Sequence, residues 1–148
     1  ALANPSLTRE DRDPLTSIVA VVVDRSPSQE FGDRKAQTEA ARAMVAERLG
    51  NCVRETDTVA RFGGDEFVIL LEDLIDRNAA LGVADKLIAS INEPFDLTAG
   101  RMRVGVSVGI AYFPKDAPDG EHLLRRADMA MYSAKKGGRN RWEVYTEV

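Results

Sequence analysis

The sequence predicts an α/β (α+β) fold in which a mixed central sheet carries helices packed on it. Three observations predict it. A β-branched apolar run, SIVAVVVD, covers Ser17 to Asp24, two strand-like runs flank the pair Gly63-Gly64, and three longer stretches repeat apolar residues at helical spacing. In chain order these read β-α-β-β-α-β-α-β.

Residues 1–16 (ALANPSLTREDRDPLT) are polar, contain two prolines and show no sustained period, so they read as a lead-in segment. Residues 17–148 read as one domain, long enough to bury a core. The run Ser17 to Asp24 is too short for a helix of this apolarity and reads as a buried strand, followed by the polar loop RSPSQEFGD. From about Arg34 to Leu49, Ala40, Ala41, Met44, Val45 and Leu49 share one helical face. Thr58 to Phe62 and Glu66 to Leu71 form a tight hairpin around Gly63-Gly64-Asp65, and the all-apolar FVILL suits an interior strand.

Ala80, Leu81, Ala84, Leu87, Ile88 and Ile91 mark a second amphipathic helix, stopped by Asn92 and Pro94. Val104, Val106, Val108 and Ile110 alternate with small residues, as in a strand closely approached on one face. The last helix runs from about Gly120 to Lys136, with Leu123, Leu124, Ala127, Ala130, Met131 and Ala134 inward and Gly137-Gly138 as its stop. Arg141 to Tyr145 adds a final strand.

Composition narrows the function. A net charge of -4 disfavours binding to a nucleic acid polymer, whose affinity comes from phosphate neutralisation, yet permits a small anionic ligand at a local site. No apolar run approaches the ~18 residues of a spanning helix, so no membrane contact is expected within this segment. The single Cys52 excludes an internal disulfide, and with His122 alone beside it there is no Cys/His zinc set. A reducing, cytoplasmic location fits. The start at Ala1 reads as a segment of a longer protein with covalently linked neighbours.

Gly63 and Gly64 at a hairpin tip let a phosphate approach backbone N–H groups, and Asp65 and Glu66 follow as oxygen ligands suited to Mg²⁺. Read alone, these residues fit either a metal-holding turn or a plain, solvated hairpin. Lys135 and Arg139 near the end of the last helix suit phosphate oxygens, and equally suit a helix C-terminus. Arg54 and Asp57 form an RxxD string that fits a surface ion pair or, by donor and acceptor type, a guanine edge.

The fuller string RFGGDEFVILLED, with RETDTVA before it and SVGIAYFP and LLRRADMAMYSAKKGGRNR after it, resembles the GGDEF family of bacterial diguanylate cyclases from about Leu49 to Trp142. The resemblance implies the fold shared with class III nucleotidyl cyclases and polymerase palm domains. It implies two domains facing each other as a homodimer, each holding one GTP, with Mg²⁺ as cofactor and cyclic di-GMP plus pyrophosphate as products. By position, Asp65 would hold metal and Glu66 would be its catalytic neighbour. Gly63, Gly64, Lys135 and Arg139 would meet phosphates, and Glu39 would meet guanine. Arg54 and Asp57, with five residues between Asp57 and the GGDEF string and with Lys86 as a basic partner, would form the family's inhibitory cyclic di-GMP site.

The chain also departs from the pattern. Counting back without gaps, the first strand's metal-binding Asp falls on Val22, which leaves Asp65 and the backbone carbonyl of Val23 as metal ligands. The guanine-reading Asn falls on Glu30, which lacks an amide donor. Three functions stand open: a diguanylate cyclase impaired at its metal site, an inactive GTP- or cyclic di-GMP-binding module regulating an adjacent domain such as an EAL phosphodiesterase, and a purely structural dimerisation module.

Overall fold

The computed structural model describes residues 18–26, 34–63, 65–74, 76–98 and 100–147. The lead-in segment, most of the predicted polar loop with Glu30, and Gly64 lie outside these residues. The elements are β1 (Ile18–Ser26), α1 (Arg34–Gly50), β2 (Thr58–Gly63), β3 (Glu66–Glu72), α2 (Arg77–Asn92), β4 (Phe95–Leu97), β5 (Gly100–Met102), β6 (Gly105–Phe113), α3 (Gly120–Lys136) and β7 (Arg141–Val144).

Five strands form one sheet in the order β2-β3-β1-β6-β7. β7 runs parallel to β6 while the other pairs are antiparallel, so the sheet is mixed, as predicted. β1 is central: each residue from Ile18 to Asp24 has a partner on both β3 and β6. A β-branched run is what a strand paired on both sides selects.

The two faces are covered differently. Phe67, Ile69 and Leu71 of β3 and Val106, Val108 and Ile110 of β6 join a core with Val45 and Leu49 of α1 and Ala84, Leu87 and Ile91 of α2. On the opposite face Val68 and Ala111 pack with Leu123, Ala127 and Met131 of α3. Each fully buried Leu, Ile or Phe contributes about 1.5–3 kcal/mol, so both faces are held mainly by apolar burial. α3 comes so close to β6 that a Cβ at Gly109 would stand 2.0 Å from the Ala127 carbonyl oxygen and 2.2 Å from the Met131 nitrogen. The small residue read from the sequence as a close approach is this contact.

Helix ends are fixed by side chains. Asp76 accepts the Ala79 N–H at 3.0 Å to start α2, and Asp119 accepts the His122 N–H at 2.8 Å to start α3. That backbone bond, followed by the contact with the His122 ring, holds the Asp119 carboxyl below the usual carboxylate range. Arg48 of α1 closes the other end of α2, with Nη1 on Ser90 O at 2.9 Å, Nη2 on Pro94 O at 2.7 Å and its guanidinium 3.7 Å from the Phe95 ring centroid.

The sequence reading differs from the structure in detail. The small β4–β5 hairpin was not expected, because three-residue strands are too short to show a period. Ala40 is exposed rather than inward. Chain order and partner faces otherwise follow the apolar pattern. Among the described residues, no helix is long and apolar enough to cross a membrane.

Candidate functional site

One row of register partners crosses the whole sheet at one end. Gly63 of β2 pairs with Glu66 of β3, Glu66 with Asp24 of β1, Asp24 with Ser107 of β6, and Ser107 with Arg141 of β7. The row joins the hairpin tip to the chain leaving α3, so Gly63, Asp65 and Glu66 share a sheet end with Lys135 and Arg139. Three strand spacings, roughly 14 Å, separate Glu66 from Arg141.

At the tip the ladder is regular as far as Arg61 and Phe67 and then shifts, so that Gly63 faces Glu66 and Asp65 sits in the turn. Strand alternation sends consecutive carboxylates apart. Glu66 has the parity of Val68, which packs under α3, whereas Asp65 reaches α1. There the Arg42 Nε lies 3.7 Å from Asp65 Oδ1, and Arg42 Nη1 donates to Glu39 Oε1 at 2.7 Å. Arg61 Nη1 stands 4.0 Å from Glu39 Oε2, which completes an alternating series Arg61, Glu39, Arg42, Asp65. Arg42 Nε is shielded from solvent and has no hydrogen-bond partner.

The exit of α3 is equally determined. Gly137 N donates to Ser133 O at 2.9 Å and Arg139 N to Ala134 O at 3.0 Å, closing the last turn. The chain then passes through left-handed conformations at Gly138 (φ 124), Arg139 (φ 64) and Asn140 (φ 54). Asn140 Oδ1 accepts the Val106 N–H at 3.1 Å and pins this loop to the start of β6. Holding an arginine at positive φ costs of order 1 kcal/mol or more, and that anchor offsets part of it.

Arg54 and Asp57 lie at the opposite end of β2, which is six residues long, roughly 17 Å from the turn. The Asp57 side chain is 2% exposed. It accepts the backbone N–H groups of Arg54 at 2.8 Å and Glu72 at 3.3 Å, and its Oδ1 lies 3.3 Å from Arg54 Nη2. Arg54 Nη2 also donates to the Glu72 carbonyl. Lys86 is exposed on α2, and its carbonyl oxygen is 3.8 Å from Cys52 Sγ, two residues before Arg54. The structure thus gathers Arg54, Asp57 and Lys86 in one region, apart from the hairpin tip.

The donors at the tip can be tested against Mg²⁺. Val22 pairs with Val68 and Gly109 and supplies no carboxylate, and Val23 pairs with Phe67 and Val108 inside the ladder. Asp65 already has the Arg42 guanidinium beside it. Mg²⁺ wants near-octahedral oxygen ligation, and an Asp65 already held by a guanidinium fits it poorly, although Asp24 of β1 stands beside Glu66 in the tip row. Among the described residues no group of three or more His, Cys, Asp or Glu could hold a metal ion.

A profile of the family described as "Diguanylate cyclase, GGDEF domain" matches residues 29–141. The chain belongs to the GGDEF family. MucR of Pseudomonas aeruginosa, a bifunctional diguanylate cyclase/cyclic di-GMP phosphodiesterase, is 45% identical over 96 residues, 65% of this chain and 14% of MucR. The crystal structure of the GGDEF domain of TpbB (YfiN) from P. aeruginosa superposes with a TM-score of 0.83 at 34% identity, covering 90% of this chain and 84% of that one. An EAL/GGDEF domain protein from M. capsulatus gives a TM-score of 0.76 at 34% identity, covering 89% and 86%. Against the whole of TpbB the chain spans 31% of the length.

This GGDEF domain therefore has the family fold, and its family is that of cyclic di-GMP signalling. Sequence reading missed Arg42, the buried Ser107 hydroxyl, which has no hydrogen-bond partner, and the Asn140 anchor. Arg42 left a signal, since Glu39 and Arg42 are one helical turn apart. Ser107 and Asn140 left none, because each matters through a strand partner distant in sequence.

Proposed function

We propose that this GGDEF domain is a guanine-nucleotide-binding regulatory module of cyclic di-GMP signalling, with weak or no synthesis of cyclic di-GMP. The observation that carries the reading is the hairpin turn, where Asp65 faces Arg42; the ungapped count that puts Val22 at the first strand's metal position supports it, although Asp24 is the β1 partner of Glu66 at that sheet end. In-line transfer between two nucleotides depends on metals and cations that stabilise charge on the reacting phosphates. What the chain's own residues supply is binding and orientation. Gly63, Gly64, Lys135 and Arg139 would hold phosphates, Glu39 would accept from guanine, and Glu66 lies on the α3 face of the same sheet end.

The relatives support a regulatory role as well as an enzymatic one, since MucR carries both a cyclase and a phosphodiesterase in its name. A covalently linked phosphodiesterase domain is the output we assign to this module, with cyclic di-GMP itself binding at Arg54, Asp57 and Lys86. The test is incubation of the purified chain with GTP and Mg²⁺, followed by chromatography for cyclic di-GMP. Little or no product is expected, together with calorimetric binding of GTP. Robust turnover overturns the reading, and Val22→Asp is expected to increase Mg²⁺-dependent GTP binding.

A further inference from the structure

We propose that Arg42 is the resident cation of the hairpin turn: it holds Asp65 as its counter-ion where a divalent ion would otherwise sit, so that nucleotide binding there does not require Mg²⁺. This role presupposes the nucleotide-binding reading of the turn. Arg42 stands one helical turn after Glu39, which fixes its Nη1 at 2.7 Å, and its Nε points to within 3.7 Å of Asp65 Oδ1. α1 thereby carries a guanidinium into the space between two carboxylates.

Two features of this arrangement bear on ligands. Arg42 Nε is shut off from solvent without an acceptor, and a buried donor in that condition is destabilising until something supplies one. A phosphate oxygen entering beside Asp65 supplies it, and the guanidinium fork suits such oxygens. A dication approaching Asp65 meets the opposite situation. It would have to sit against a fixed positive charge on the flank of the same oxygen, and like charges this close disfavour one another strongly.

The experiment uses Mn²⁺, a paramagnetic dication that takes the same oxygen ligands, titrated into metal-free protein while the Asp65 amide resonance is followed by NMR. Arg42→Gln keeps the side chain's reach and removes its charge. It is expected to bind Mn²⁺ at least about tenfold more tightly than wild type, the size of one strong charge effect. Asp65→Asn in that background should abolish the gain, and Arg42→Lys, which keeps the charge and serves as the folding control, should behave like wild type. In parallel, calorimetry of wild type with GTP should give the same affinity in Mg²⁺ as in chelator. Equal Mn²⁺ binding by wild type and Arg42→Gln, or GTP binding that demands Mg²⁺, overturns the inference. Absence of GTP binding under both conditions defeats the nucleotide reading instead, and the two failures are distinct because the Mn²⁺ contrast is measured without nucleotide.

Discussion

Asp57 holds Arg54 by both its backbone and its side chain: Oδ2 accepts the Arg54 N–H at 2.8 Å while Oδ1 lies 3.3 Å from the guanidinium Nη2. The pair is unequal, since the Asp57 side chain is almost fully buried and that of Arg54 is 54% exposed. Asp57→Ala strands two backbone N–H groups and should destabilise the fold by about 1–3 kcal/mol, measured by urea unfolding. Arg54→Ala should cost at most about 1 kcal/mol and yet remove most cyclic di-GMP binding in calorimetry. Asp65→Ala should leave that binding nearly unchanged, because the two sites lie at opposite ends of β2. Binding lost with Asp65 and kept without Arg54 would sink the assignment.

Lys135→Ala and Arg139→Ala should each weaken GTP by about tenfold while affecting guanosine little, as expected when one charge-assisted phosphate contact is lost. Arg139 has φ 64, so Arg139→Gly is the cleaner test: it keeps the left-handed backbone and deletes only the cation. Equal weakening of GTP and guanosine would indicate a disturbed fold rather than a lost contact.

Gly109→Ala should be among the most damaging single-methyl changes in the chain. The new Cβ would meet helix backbone at 2.0 and 2.2 Å, and backbone cannot rotate away as a side chain can. A loss of about 3 kcal/mol or more is expected, read as a large drop in Tm. A wild-type Tm would show that α3 can move off β6 without cost.

The Asp119 cap gives a pH test. Its carboxyl is held below its ordinary value of 3.8, chiefly by the His122 backbone N–H, so its contribution is fully present above 3.8 and fades as pH falls toward the lowered folded value. The stability difference between wild type and Asp119→Ala should therefore shrink on acidification through that window. A difference independent of pH would remove the carboxylate from the cap.

The sequence made most of the fold legible, since three helical periods and a hairpin with its glycines specify layers that burial bears out at most of the inward positions, Ala40 excepted. Val45, Leu87 and Ala127 lie inward because their spacing leaves them no other face. The hairpin of Phe95–Leu97 with Gly100–Met102 was invisible, being shorter than any period. In the site, residue identities could be read but not their company. Nothing local to Arg42 says that it meets Asp65, which depends on where α1 crosses the turn. Nor did the RxxD string disclose that its carboxylate is buried under two backbone N–H groups.

Because β1 is flanked on both sides, the valine at position 22 suits the middle of a sheet far better than an aspartate, whose weak strand preference opposes it there. Chemistry and heat tolerance therefore pull in opposite directions at this one residue. On the proposed reading, a chain with valine here keeps its sheet intact, so giving up the ligand would carry no folding penalty. Val22→Asp should therefore melt earlier than the wild-type protein, whatever it does to the chemistry.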